Sequence, residues 1–131
     1  MSRQTYNDSP YQSCAAAAPA NLVGKEGYAV EQVAGTNTIQ LYTVGPLLGW
    51  LFERLEGDTT WNVRLAGKGG TVRAVAGGAI AQAPAYVKVQ NGGTMITANS
   101  GDKAHGVKIN PPGVDAQNDI IEIVDGFQVV P

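Results

Sequence analysis

A single cysteine, Cys14, stands among 131 residues, which excludes an intrachain disulfide and any thiolate zinc cluster. Histidine is as scarce: His105 has no second imidazole to share a metal with, and Asp115, Asp119 and Asp125 lack the spacing of a calcium loop. No metal or other cofactor is expected. Charged residues make up 15% of the chain, against about 25% in ordinary domains, and the net charge is -2 with no run of five like charges. No nucleic acid and no membrane surface is therefore expected as a partner. No apolar run approaches the roughly 20 residues that span a bilayer. The tract Ala15 to Ala20 ends like a leader cleavage site, but no stretch of Leu or Val precedes it, so the segment reads as mature protein.

Long stretches free of glycine and proline are also missing. The 17 glycines and 7 prolines are spread so that, after Gly27, the longest uninterrupted stretch is Val114 to Asp125, itself broken by Asn118-Asp119. A helix averages about 11–12 residues, whereas strands of five or six fit between these marks. The class is all-β with many turns, a compact antiparallel barrel or sandwich sized for one core.

Alternation places strands at Tyr28 to Val33, Thr38 to Val44, Trp50 to Leu55, Trp61 to Leu65, Thr71 to Val75, Tyr86 to Gln90, Thr94 to Ala98, Val107 to Ile109 and Ile120 to Val124, with a short apolar piece around Ile80. Asn91-Gly92 predicts a hairpin turn of the type that needs positive φ at both central residues. Sliding the body against itself by 58 residues brings Tyr28 onto Tyr86, Gln32 onto Gln90, Gly35 onto Gly93 and Thr36 onto Thr94. With a one-residue adjustment Gly49 falls on Gly106. This suggests a duplicated unit, 27–67 and 85–126, within a domain of residues 27–131. Pro46 to Glu56 reads either as a short helix or as a strand. The counterpart of this segment ends in Pro111-Pro112, which no useful helix tolerates, and strand is preferred.

Residues 1–26 differ from this body. They are polar, then Ala/Pro-rich, without alternation, and read as an extended N-terminal arm with too few large side chains, Tyr6, Tyr11, Leu22 and Val23 among them, to form a core of its own. Tyr6 and Tyr11, each with a large apolar face and a polar tip, are the candidate anchors of that arm on a neighbouring protein, against the plainer reading of a frayed terminus.

Catalysis needs convergent titratable groups, and none converge in the sequence. His105 lies in a glycine-flanked turn and reads as an exposed histidine, and a Cys14–His105 pair would require the arm to fold against that turn. Gly67-Lys68-Gly69-Gly70-Thr71 lacks the earlier glycine of a phosphate loop, since position 62 is Asn62. Glu56 and Asp58 near Arg54 and Arg64 read as charges on solvent-facing strand positions. The chain is expected not to be an enzyme.

Several segments resemble one family. Ala76-Gly77-Gly78-Ala79-Ile80-Ala81, Tyr86-Val87-Lys88-Val89, Gly93 to Ala98, Ser100 to Val107 and Asp119 to Ile123 are similar to the head decoration, or capsid cement, proteins of tailed bacteriophages. Pro46 to Leu51 and Val63 to Gly67 resemble the same pattern in the first half, and the likeness covers residues 27–126. It departs at Ala83-Pro84, where such proteins usually carry a glycine, and at Trp50, where a small aliphatic residue is usual. The resemblance implies a β-barrel-like or β-tulip module bound to the outer surface of an icosahedral head, commonly as a trimer, stabilising contacts between subunits of the major capsid protein. It implies location in the virion, and in the host cytoplasm during assembly, with no cofactor and no reaction. Trp50 and Phe52, expected either in the barrel core or at a subunit interface, join Tyr6 and Tyr11 as candidate capsid or subunit contacts. Two other readings remain open at this stage: a β-rich head fibre or receptor-binding component, and a small-molecule-binding β-barrel with Trp50 or Trp61 lining the pocket.

Overall fold

The structure is a computed structural model that describes residues 9–55, 57 and 59–131. It is all-β apart from one 3-10 turn, Pro19–Leu22. Five strands, β1 (Tyr11–Ala16), β2 (Ala29–Gln32), β3 (Thr38–Leu41), β4 (Leu47–Arg54) and β5 (Thr60–Leu65), form a closed barrel in the order β1-β3-β2-β4-β5. Every pairing in it is antiparallel except β1 with β3. The other five, β6 (Thr71–Val75), β7 (Ala85–Val89), β8 (Met95–Thr97), β9 (Lys103–Asn110) and β10 (Ile120–Val129), make an antiparallel sheet in the order β6-β10-β9-β7-β8.

Alternation along the strands splits the apolar residues between two cores. Leu22, Val30, Ile39, Leu51, Trp61 and Val63 fill the barrel. Val72, Ala74, Val87, Met95, Ile121 and Ile123 line the sheet, and Ile80 joins them from the β6–β7 connection. Ala29 and Trp50, on the opposite side of the barrel wall from Val30 and Leu51, belong to this second core. One layer of side chains therefore welds the barrel to the sheet, and Trp50, fully buried, is its largest member. A large side chain buried this completely contributes about 1.5–3 kcal/mol relative to exposure. Backbone bonds reinforce the joint, Ala29 N–H donating to Gly93 O at 2.7 Å and Gly92 N–H to Tyr42 O at 2.8 Å.

The expectation of an arm outside the body fails over its described part. Tyr11–Ala16 is barrel strand β1, paired with β5 from Tyr11 opposite Arg64 to Ala15 opposite Thr60, and with β3 at Ala15–Thr38 and Ala16–Ile39. Leu22, 1% exposed, then plugs the barrel. The reason is steric: the small side chains of Cys14 and Ala16 fit a barrel interior already holding Trp61, so a core strand carries little apolar bulk.

Pairing registers show that the two units repeat strand for strand. β1 to β5 correspond to β6 to β10, with each antiparallel neighbour preserved. Gly49 sits opposite Leu65 as Gly106 sits opposite Asp125. A Cβ at either glycine would strike a neighbouring carbonyl, at 2.1 Å from Arg64 O or 2.8 Å from Val124 O. The parallel closure of the barrel has its counterpart in the parallel bridge Ala76–Met95, and Ile80 plugs the sheet unit as Leu22 plugs the barrel. The repeat thus begins at β1, earlier than residue 27. By these registers Val30 matches Val87 and Leu51 matches Lys108. This register differs by one residue from the sequence repeat, so Gln32 matches Val89 and not Gln90.

Three local expectations are revised. In the β7–β8 hairpin the positive φ values fall on Gly92 and Gly93, one residue later than Asn91-Gly92 suggested. Arg64 is 7% exposed and not a surface charge, its Nη1 donating to Leu65 O at 2.7 Å and its Nη2 to Gly69 O, which fastens the glycine turn leading from barrel to sheet. His105 lies on β9, half-buried, with Nδ1 accepting the Val89 N–H at 3.0 Å.

Candidate functional site

Of the four residues singled out in the sequence, the structure brings two together. Tyr11 opens β1 and Phe52 lies on β4, and their rings meet at 4.9 Å between centroids, tilted by 48°. Phe52 is 47% exposed. Of the two places expected for Trp50, two residues earlier, core or interface, the structure gives the core. Trp50 faces the inter-unit core, whereas the register shift between Leu51 and Glu53 separates it from the exposed Phe52. Tyr6 lies outside the described residues.

The Tyr11–Phe52 pair borders a groove between barrel and sheet. Phe52, Thr71 and Arg73 line both a small recess beneath Tyr11 and the groove itself, whose volume is about 680 Å³. Its far wall is Pro111, Pro112 and Ile120, with Asn110 and Glu122 between. Ile120 is 54% exposed, because alternation on β10 turns Ile121 and Ile123 into the core and Ile120, Glu122 and Val124 outward. Large apolar side chains left facing solvent and gathered in a concave patch are the mark of a contact surface.

The groove has one organised polar centre. Glu122 accepts Thr71 Oγ1–H through one carboxylate oxygen and Asn110 Nδ2–H through the other, both at 2.7 Å. These two hydrogen bonds hold its pKa below the usual carboxylate value, the Thr71 bond first. Arg73, directly across the strands from Glu122, is exposed, and its side chain makes no hydrogen bond or ion pair with any described residue. The sequence reading missed Arg73, Ile120 and the Pro111–Pro112 wall. The outward phase of Ile120 beside Ile121 was the available signal.

Elsewhere the titratable groups serve the fold. Glu31, 5% exposed, accepts Gln40 Nε2–H, the Thr43 hydroxyl and the Thr43 and Gly45 backbone N–H groups. Burial pulls its pKa upward, but the four hydrogen bonds together outweigh it and bring the value to about 2. Lys108 and Asp115 form a fully buried pair, Nζ to Oδ2 at 2.5 Å, and Lys108 also donates to Ala81 O and Gly113 O. Cys14 is half-buried on β1 and its thiol is pushed up by desolvation, which disfavours the thiolate. Burial lowers the His105 pKa, and its ring sits edge-on to Tyr42 and Phe127. Among the described residues no three His, Cys, Asp or Glu side chains gather as metal ligands, and no helix is long and apolar enough to cross a membrane. The barrel interior is occupied by its own side chains, Trp61 among them, so a ligand there would have to displace the core.

Compared with protein-family models and with curated proteins, the chain matches none.

Proposed function

We propose that this protein is a structural component of a bacteriophage virion, attached to the outer surface of an icosahedral head, where it stabilises contacts between major capsid subunits without catalysing a reaction. The observation that carries the reading is the groove. The surface aromatics chosen from sequence, Tyr11 and Phe52, lie side by side and continue into Ile120, Pro111 and Pro112, as a protein-docking surface requires. The segments resembling decoration proteins supply the partner. The rigid two-unit core also supports a mechanical role, since a part that braces a shell must hold its contact surface in one geometry.

The physics needs no chemistry beyond binding. A protein that binds only the assembled shell stabilises it by mass action. As a trimer it would engage several capsid subunits at once, each contact raising the effective concentration of the next into the millimolar range for short connections. The test is co-sedimentation with heads that lack this protein, in expanded and unexpanded form. Binding confined to one form, reduced at least tenfold by Phe52→Asp, is the expected result. Equal binding to both forms, or to neither, would overturn the reading.

A further inference from the structure

The groove is built to select a particular kind of segment, and a cation with no partner among the described residues shows which. Arg73 presents five N–H donors in a fixed fork, and no described residue accepts from them. Its nearest opposite charge by register, Glu122, has each oxygen already engaged by a neutral donor, Thr71 or Asn110. Around the guanidinium the walls are Phe52, Ile120 and two prolines, which offer no backbone N–H. A carboxylate entering this groove would find one strong donor, Arg73, whose planar fork suits a bidentate pair.

Spacing narrows the partner further. Ile120 and Glu122 are successive outward residues of β10, about 6.6 Å apart at the rise of a strand, and Arg73 lies across from Glu122. An extended segment running along β10 therefore meets apolar surface and guanidinium at positions two residues apart. We propose that the groove binds an extended acidic-apolar segment of the partner protein, an Asp or Glu and a large apolar residue at i and i+2. The carboxylate pairs with Arg73, and the apolar side chain lies against Phe52, Ile120 and the Pro111–Pro112 wall. This rests on the docking reading of the groove given above and specifies what it docks.

The probe is a blocked peptide, acetyl-Ala-Asp-Ala-Phe-Ala-Asp-Ala-amide, which offers the pattern in both chain directions, with an Asn-for-Asp analogue as control. Added to the full-length ¹⁵N-labelled protein, the Asp peptide shifts the amides of Arg73, Ile120 and Glu122. The Asn analogue binds at least tenfold more weakly, and added salt weakens the Asp peptide alone. Arg73→Gln abolishes the difference between the peptides while leaving the rest of the spectrum in place. Equal binding of the two peptides, or unchanged discrimination by Arg73→Gln, overturns the proposal. Co-sedimentation with heads separates this from the function itself. Heads that bind the wild type and Arg73→Gln equally would remove the carboxylate requirement and leave head attachment standing. Discrimination between peptides with no binding to heads would leave the groove's selectivity standing and remove head attachment.

Discussion

Lys108 Nζ lies 2.5 Å from Asp115 Oδ2 with both side chains fully buried, at the position where the barrel unit has Leu51. The pair closes the long β9–β10 connection over the sheet. Asp115 also exchanges both backbone hydrogen bonds with Ile80, and Lys108 donates to Ala81 O and Gly113 O. Two loops are thus tied to the centre of β9 by one ammonium group. Removing one partner strands a buried charge, so Lys108→Met or Asp115→Val alone should cost about 3–5 kcal/mol. The double variant should recover most of that loss, because the repeat shows that an apolar side chain fits this position. Urea unfolding of the two single variants and the double variant checks it. Additive losses would show that the pair does not act as a unit.

Glu31 gives the barrel an acid-sensitive clasp. Its pKa, about 2, is below the value of an unfolded glutamate, so the stability it contributes is present above pH of about 4.5 and is lost as pH falls towards 2. Glu31→Ala leaves the Thr43 and Gly45 N–H groups without this acceptor and should cost about 2–3 kcal/mol at neutral pH. The gap from wild type should close in strong acid. Urea midpoints at neutral pH and near pH 2.5 measure both, and a constant gap would count against the clasp.

His105 titrates in a separate window. Burial lowers its pKa, so the unfolded chain takes up a proton first, and stability declines as pH drops below about 6.5 until the folded protein is protonated too. Protonation also removes the Nδ1 acceptor of the Val89 N–H, at a point where a side chain stands in for a backbone carbonyl between β7 and β9. His105→Asn supplies an amide oxygen that does not titrate. It should flatten the decline in stability below about pH 6.5, as followed by thermal melts, and an unchanged slope would place the proton elsewhere.

The nine strands of the body were legible because glycine punctuation and alternation agree there, and β4 was correctly preferred as a strand over a helix. β1 was not legible. Tyr11–Ala16 turns only partly buried Tyr11, Cys14 and Ala16 away from solvent, and alanine carries neither β preference nor apolar bulk, so nothing in its sequence alternates. His105 was read as an exposed turn residue because flanking glycines suggest a loop, yet Gly106 is there for close approach to Val124, inside a strand. Trp50 and Phe52 share a sequence phase that the β4–β5 register shift breaks. The groove was legible only in its barrel half. Arg73, Pro111 and Ile120 come from three separate elements, and only tertiary packing puts them beside Phe52.

The placement of β1 reverses the outcome that an arm would give. An arm with no part in the core could be removed and leave a folded body. As a barrel strand, β1 supplies the ladder partners of β5 residues Thr60 to Arg64 and closes the barrel onto β3, and its removal would leave both strands with an unpaired edge and Leu22 without its surroundings. Domains of this size have a total stability of about 5–15 kcal/mol. Losing a whole strand and part of a core should consume most of that. Deletion of residues 2–20 should therefore give a protein that aggregates or unfolds without a cooperative transition, by circular dichroism and thermal melting. A soluble truncation melting within a few degrees of the full chain would remove β1 from the barrel.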